Sequence, residues 1–528
     1  MHTSPNKTRS HAKVNIKVGI LFSVLFLVAC SPAPMVTSTP LVEVPTPSPT
    51  PFQPPAGYVE YLAQSGDILQ TVAVRFDAEP DQIISEEAIP EQGLINPGQI
   101  LYLPPLEGET TPDDFLIYDS EVVYSPSASD FDLSAFIDSY GGRLSTYSEI
   151  RMYGKTPAAV ILGELAADYS INPRILLSLL ELNGRWVTAQ PETDEQELYP
   201  FHYIRADRGG MYRQAGWAIQ QLVAGYYSWR AGTLTEVTFM DKSTLHLAPN
   251  LNAGTVAVML YLAQVYPREE WEQRIKELPV VHEQLFGDAN QRAMSVEPLF
   301  PAGLVQPDLR LPFSKKETWL FTCGLHASWG KDGQPLGALD FAPPLATSGC
   351  GNSINYATAM APGRVVYSLN GKVLVDMDGD DDPHTGWVMM YMHIANSDKV
   401  EVGTDLQTGD RIGHPSCEGG SAYGIHVHVA RMYNGEWILG EGGLPFILSG
   451  YQANYEEGLC SGSMTRLSDG VVIKANYSGS YKAKICQPES ENCTMSTATP
   501  LPSLTPTITK TPTITPISTA NTSQTKEP

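Results

Sequence analysis

The chain has 528 residues, 42% of them hydrophobic, which exceeds a single core and predicts two to four domains. A formal net charge of −24 gives a nucleic-acid partner no electrostatic support and excludes that class. The 42 prolines crowd into both ends, so the ends read as spacers and the middle as folded.

At the N-terminus, Lys7, Arg9, Lys13 and Lys17 precede the apolar run Val18 to Ala29. The run is too short to span a bilayer comfortably, and residues 1–30 read as an export signal. Leu27-Val28-Ala29-Cys30-Ser31 resembles a bacterial lipobox. The resemblance implies that Cys30 is lipidated after cleavage and anchors an extracytoplasmic protein to the cell membrane. Residues 31–57, as in Pro45-Thr46-Pro47-Ser48-Pro49, bury nothing and form a semi-extended linker.

Residues 58–106 follow. Gly66-Asp67 turns a strand into a short helix, and Asn96-Pro97-Gly98 turns into a last strand. Tyr61-Leu62-Ala63-Gln64-Ser65-Gly66-Asp67-Ile68-Leu69 and Leu94 to Pro104 resemble a LysM module. That implies a β-α-α-β fold binding N-acetylglucosamine-containing glycan, through residues the sequence does not single out.

From 132 to 290 the pattern predicts an all-α domain. Ala158 to Tyr169, Pro173 to Leu182, Gly210 to Tyr227 and Gly254 to Tyr266 carry apolar residues at three- and four-residue intervals. Ile171-Asn172-Pro173-Arg174-Ile175-Leu176-Leu177 distantly resembles the helix leading to the acid of lysozyme-like transglycosylases. The resemblance implies a lysozyme-like middle domain. Its acid would fall near Asn183, however, and Glu181 is two positions early, on another helix face. A glycosidase needs a carboxylic acid aimed at the scissile oxygen, so a glycan-binding or spacer role is the reading.

Residues 300–455 predict an antiparallel all-β domain, and six of the chain's eleven histidines fall between 326 and 428. In a strand, side chains two apart share a face, so His426 and His428 look into one cleft while Val427 and Val429 face a core. By the same rule Tyr391 and His393 share a face. Asp376 to Pro383 has alternating carboxylates, but Trp387 stands where an EF-hand needs glutamate; the segment reads as an acidic hairpin turn. His384 and His414 lie outside the motifs below.

Asp340-Phe341-Ala342-Pro343, Tyr391-Met392-His393, Gly409-Asp410-Arg411-Ile412-Gly413 and Gly424-Ile425-His426-Val427-His428 resemble, in order, the lysostaphin and LytM type of zinc endopeptidase. Most members of that family place the first ligand in His-x-x-x-Asp, which here falls on Leu336. The staphylolysin (LasA) branch has a longer loop, which His326 to Asp340 resembles, as does Cys417-Glu418-Gly419-Gly420-Ser421. The resemblance implies Zn2+ held by His326, Asp340 and His428. It also implies acid–base roles for His393 and His426, in an order the sequence leaves open, with Tyr391 adding a hydrogen bond. The implied substrate is peptidoglycan, cut at its peptide bonds. The alternative is a non-catalytic peptidoglycan-binding lipoprotein that scaffolds or activates other cell-wall hydrolases.

Residues 456–496 read as a small Cys-containing extension and 497–528 as a disordered Thr/Pro-rich tail. Beyond Cys30, six of the seven cysteines remain, an even number in an oxidising compartment. Three structural disulfides are expected, their pairing open. The fold class is multidomain α+β.

Overall fold

The computed structural model describes residues 52–493, apart from 153, 331–332, 345–348, 479–480 and 490–492. The export signal, Cys30, most of the linker and the Thr/Pro-rich tail lie outside the described residues. Among those described, no helix is long and apolar enough to cross a membrane.

In the N-terminal module Val59–Leu62 (β1) pairs antiparallel with Ile100–Leu103 (β2), and Leu69–Arg75 (α1) lies between them. Tyr61, Val72, Phe76, Ile95, Leu101 and Leu103 close a small core. The expected second helix is only a 3-10 turn at Pro80–Gln82. Ile84 instead bridges to Tyr102, which draws the following chain out along β2. The order is therefore β-α-3-10-β rather than β-α-α-β.

The middle region carries Leu133–Tyr140 (α2), Ala158–Tyr169 (α3), Pro173–Gly184 (α4), Met211–Arg230 (α5), Ala253–Val265 (α6) and Arg268–Phe286 (α7). Asn172 caps α4, its side chain accepting from the Arg174 N–H at 3.0 Å, as its place before Pro173 suggests. Helix α6 is buried around nearly its whole circumference, the fate of a helix apolar on all sides. The region is not all-α. Hairpins Ser148–Arg151/Gly154–Pro157 and Glu236–Thr238/Thr244–His246 interrupt it. In the second, Asp241 Oδ1 accepts from the Ser243 N–H and hydroxyl, closing a local turn that helical periodicity does not reveal.

The C-terminal half is built on one antiparallel sheet. Across it run Asp405–Leu406, Gly363–Leu369, Lys372–Asp376, Trp387–Met392, Val427–Tyr433, Leu336–Ala342, Thr318–Ala327 and Lys484–Cys486, with Glu436–Trp437 hairpinned onto Val427–Tyr433. Four strands matter below and are labelled in chain order: Thr318–Ala327 (β3), Leu336–Ala342 (β4), Trp387–Met392 (β5) and Val427–Tyr433 (β6).

The two sheet faces have different fates. Phe321, Leu339, Phe341, Val373, Val375, Met389, Val427 and Val429 point into a core internal to the β region. On the other face Ala338, Leu374, Val388, Met390, Met392, Ala430 and Met432 join the core of the helices. Helical and β regions thus share one apolar interior. Of residues 456–496, expected as a small Cys-containing extension, the described strands are built into the β region too. Ser463–Arg466 and Val472–Lys474 extend a sheet begun by Ile447–Leu448 and Tyr451–Asn454, and Lys484–Cys486 pairs with β3. Met464, Ile473 and Ile485 are buried in that core, which gives the segment its reason to pack.

Candidate metal centre

Strand register assembles the site. On β6, His428 lies opposite Asp340 of β4 on one side and Met392 of β5 on the other. His326 of β3 pairs with Ala338, two residues from Asp340 and so on the same face. Successive bulges in β3 carry it to that level. The result is close: His326 Nε2 is 2.9 Å from His428 Nδ1 and 3.3 Å from Asp340 Oδ1, and His428 Nδ1 is 3.1 Å from Asp340 Oδ1.

The second nitrogen of each imidazole faces a backbone carbonyl, which can only accept. His326 Nδ1–H donates to Gly324 O at 2.8 Å and His428 Nε2–H to Ser328 O at 3.1 Å. His426 Nδ1–H donates to Gly424 O at 2.8 Å and His393 Nδ1–H to Glu418 O at 3.0 Å. These bonds choose the tautomers and leave the other nitrogens of His326, His426 and His428 beside Asp340. Two nitrogen lone pairs and a carboxylate oxygen then converge with no donor between them, which is unfavourable unless a cation or a proton sits there. Burial opposes charge on His326, but the Asp340 carboxylate outweighs it and raises the His326 pKa. Burial likewise opposes the Asp340 charge, yet the facing His326 and His426 hold that carboxyl well below its ordinary range.

The donor set suits zinc. Separations of 2.9–3.3 Å approach the edges, about 3.3 Å, of a tetrahedron with bonds of about 2.0 Å. Cys323 also lies within reach of His326 and Asp340, but its sulfur is bonded to Cys460 and cannot be a ligand.

His393 and His426 face each other beside this set, ring centroids 4.5 Å apart, and His426 Nε2 is 3.4 Å from Asp340 Oδ2. Burial, with the neighbouring histidines, depresses the His393 pKa to about 3. His393 has left β5 and adopts φ 61°, a left-handed conformation uncommon for a residue with a side chain. The Ser416 N–H and hydroxyl both donate to its carbonyl, at 2.6 and 3.1 Å, and hold the turn.

Tyr391 does not reach the site. Alternation along β5 sends it to the opposite face, fully buried, where its hydroxyl accepts from the Met360 N–H at 2.7 Å. The same-face rule failed because the strand ends at Met392 and the left-handed turn swings His393 across. His384 stacks on Tyr124 and bonds Asp382, and His414 bonds Asn355 O and Asp398; neither joins the centre. Asp376 is buried and accepts from the N–H groups of Asp378, Gly379 and Asp381, so the acidic segment forms a hairpin turn. Glu181 in the helical region is spent on the Val187 and Thr188 N–H groups and the Thr188 hydroxyl, and Asn183 lies between Tyr261 and Tyr266.

Two disulfides frame the centre. Cys323–Cys460 clamps the chain after 459 onto β3, and Cys350–Cys417 fixes the residue before Glu418, whose carbonyl holds His393. Cys486–Cys493 is the third. Gly324, Ser328, Glu418 and Gly424 act through their carbonyls, and a main-chain role leaves no side-chain signal to read.

Residues 115–299 match the family described as LasA, N-terminal domain, which takes in most of the helical region. Protease LasA of Pseudomonas aeruginosa is 24% identical over 361 residues, covering 64% of this chain and 79% of that protein. Among solved structures, the M23 metalloprotease pseudoalterin, described as from the deep sea, is 22% identical with a TM-score of 0.27, covering 32% of this chain and 96% of its own. The catalytic domain of lysostaphin from Staphylococcus simulans is 20% identical with a TM-score of 0.18, covering 24% and 95%. The similarity over most of the chain's length is thus to a protease.

Proposed function

We propose that the chain is a zinc-dependent endopeptidase that hydrolyses peptide bonds of bacterial peptidoglycan, held at the cell envelope by a lipid on Cys30 and directed to glycan by residues 58–106. The observation that carries this reading is the convergence of His326 Nε2, His428 Nδ1 and Asp340 Oδ1 within 3.3 Å, each histidine's other nitrogen spent on a carbonyl. The similarity to Protease LasA, which covers 64% of this chain, supports the peptidase class.

His326, Asp340 and His428 would hold the metal. A zinc ion held there would supply Lewis-acid polarisation of a scissile carbonyl and lower the pKa of a bound water. His393 and His426 stand beside it with their Nε2 lone pairs free. One takes the proton of the attacking water and the other steadies the oxyanion or protonates the leaving amine. Their Nδ1 bonds to Glu418 and Gly424 carbonyls keep both rings aimed during the exchange.

The test is digestion of defined peptidoglycan by the full chain, with new amino termini identified by mass spectrometry. New termini should appear with zinc, vanish on chelation and be absent for His326→Ala. Intact stem peptides beside a stoichiometrically zinc-loaded protein would overturn the reading and favour the scaffold.

A further inference from the structure

One charged side chain on the sheet face of the metal centre is not used above. Lys372 lies opposite Met392, Met392 opposite His428, and His428 opposite Asp340, so the four form one row across adjacent strands. Lys372 and His428 are two strand spacings apart, about 10 Å. The rest of that face near Lys372 is apolar: Leu374, Met390 and Met392. The lysine is only 6% exposed. Its ammonium lies 4.7 Å from the Trp329 ring centroid and 4.8 Å from that of Tyr367. Trp329 follows Ser328, whose carbonyl holds His428.

The charge is balanced from outside the sheet. Asp168 Oδ1 accepts from Lys372 Nζ at 2.8 Å. Asp168 sits in the last turn of α3, where the helix dipole disfavours a carboxylate. Its side chain is 35% exposed, so the carboxylate stands at the edge of the helical region rather than within it. An ammonium between two aromatic rings, capped by one partly exposed carboxylate, is a charge that another carboxylate could pair with in the same way.

We infer that Lys372 binds a carboxylate of the substrate peptide, and that Asp168 occupies that carboxylate's place in this structure. The inference rests on the peptidase reading for the word substrate, and the chemical class is an acidic peptide. At about 3.3 Å per extended residue, the recognised carboxylate lies about three residues from the scissile bond. Exchange of Asp168 for the incoming carboxylate keeps the ammonium paired throughout, so no buried charge is left alone.

The experiment uses the zinc-loaded full chain and two peptides identical except for one carboxylate replaced by its amide. The wild type should prefer the acidic peptide by about tenfold in kcat/KM, through KM. Lys372→Gln should erase the difference between the two peptides, Lys372→Arg should retain part of it, and Asp168→Asn should widen it by removing the internal competitor. The same pair with the scissile amide N-methylated, followed by fluorescence polarisation, reads binding without turnover. If neither peptide is cut, the peptidase reading fails, while charge-dependent binding lost in Lys372→Gln still upholds this one. Should Lys372→Gln not fold, the shift with Asp168→Asn decides alone. Equal affinity for the two peptides in the wild type, or a selectivity unchanged by either variant, would overturn the inference and leave Lys372–Asp168 as a tether.

Discussion

His426 and His428 are two residues apart, yet their surroundings divide their tasks. His428 presents Nδ1 to both His326 and Asp340 and is buried, whereas His426 borders the carboxylate at 3.4 Å and faces His393. His428→Ala should therefore release zinc, measured by metal analysis of the purified protein. His426→Ala and His393→Ala should keep zinc and lose about 10²–10⁴-fold in turnover. An empty His426→Ala beside a filled His428→Ala would reverse the roles. Tyr391 makes a contrasting case. Its hydroxyl satisfies the buried Met360 N–H, so Tyr391→Phe should cost about 1–3 kcal/mol of stability in denaturant titration while leaving kcat near wild type. A large loss of kcat without loss of stability would restore it to the site.

Among elements, β3 is the most demanding. At Gly324 an added Cβ would come within 2.1 Å of Ser461 O, because the Cys323–Cys460 bond draws that segment onto the strand. The same glycine's carbonyl orients His326. Gly324→Ala should lower Tm and weaken zinc binding by about 10–100-fold, the scale seen when a ligand's supporting bond is lost, and a competition titration against a chelator reads it. Unchanged zinc affinity would mean that the carbonyl is not what aims the ring. The site histidines and Asp340 were legible through the motifs that resemble the zinc endopeptidase family, and the helix Ala158–Tyr169 through its apolar period. The β3 bulges, the left-handed turn at His393 and the Ser328 carbonyl were not, since each is set by main-chain geometry closed from elsewhere in the chain. Tyr391 was misread for that reason: the period-two rule holds only while the strand continues.

At the scale of the molecule, Arg230 ties three regions together. Its guanidinium pairs with Asp119 at 2.9 Å and Glu436 at 3.0 Å, is bonded by Tyr226, and packs so closely on Gly66 that an added Cβ would meet it at 2.7 Å. Ser65 Oγ also accepts from the Phe300 N–H, and Arg75 stacks on Trp229. The N-terminal module is therefore a packed part of the body, and deleting residues 53–106 should lower Tm and impair hydrolysis of even a small peptide. Undiminished activity on that peptide would make the module a separable targeting unit. The junction also sets a pH dependence. Asp119 and Glu436 pair with Arg230, Asp67 pairs with Arg75, and Glu297 feels both the Asp119 and Arg230 charges. Burial, then the Asp119 charge, raises Glu297 from 4.5 to about 7. A carboxyl raised by folding binds its proton more tightly in the native state, so its contribution is present below the unfolded value near 4.5 and lost as pH rises through about 7. Glu297 Oε1 accepts from the Ser120 N–H, which a glutamine oxygen can also do. Glu297→Gln should thus match the wild type near pH 4 and gain in Tm over it by about pH 8. Two melting curves that stay parallel across that range would show that Glu297 is not the titrating group.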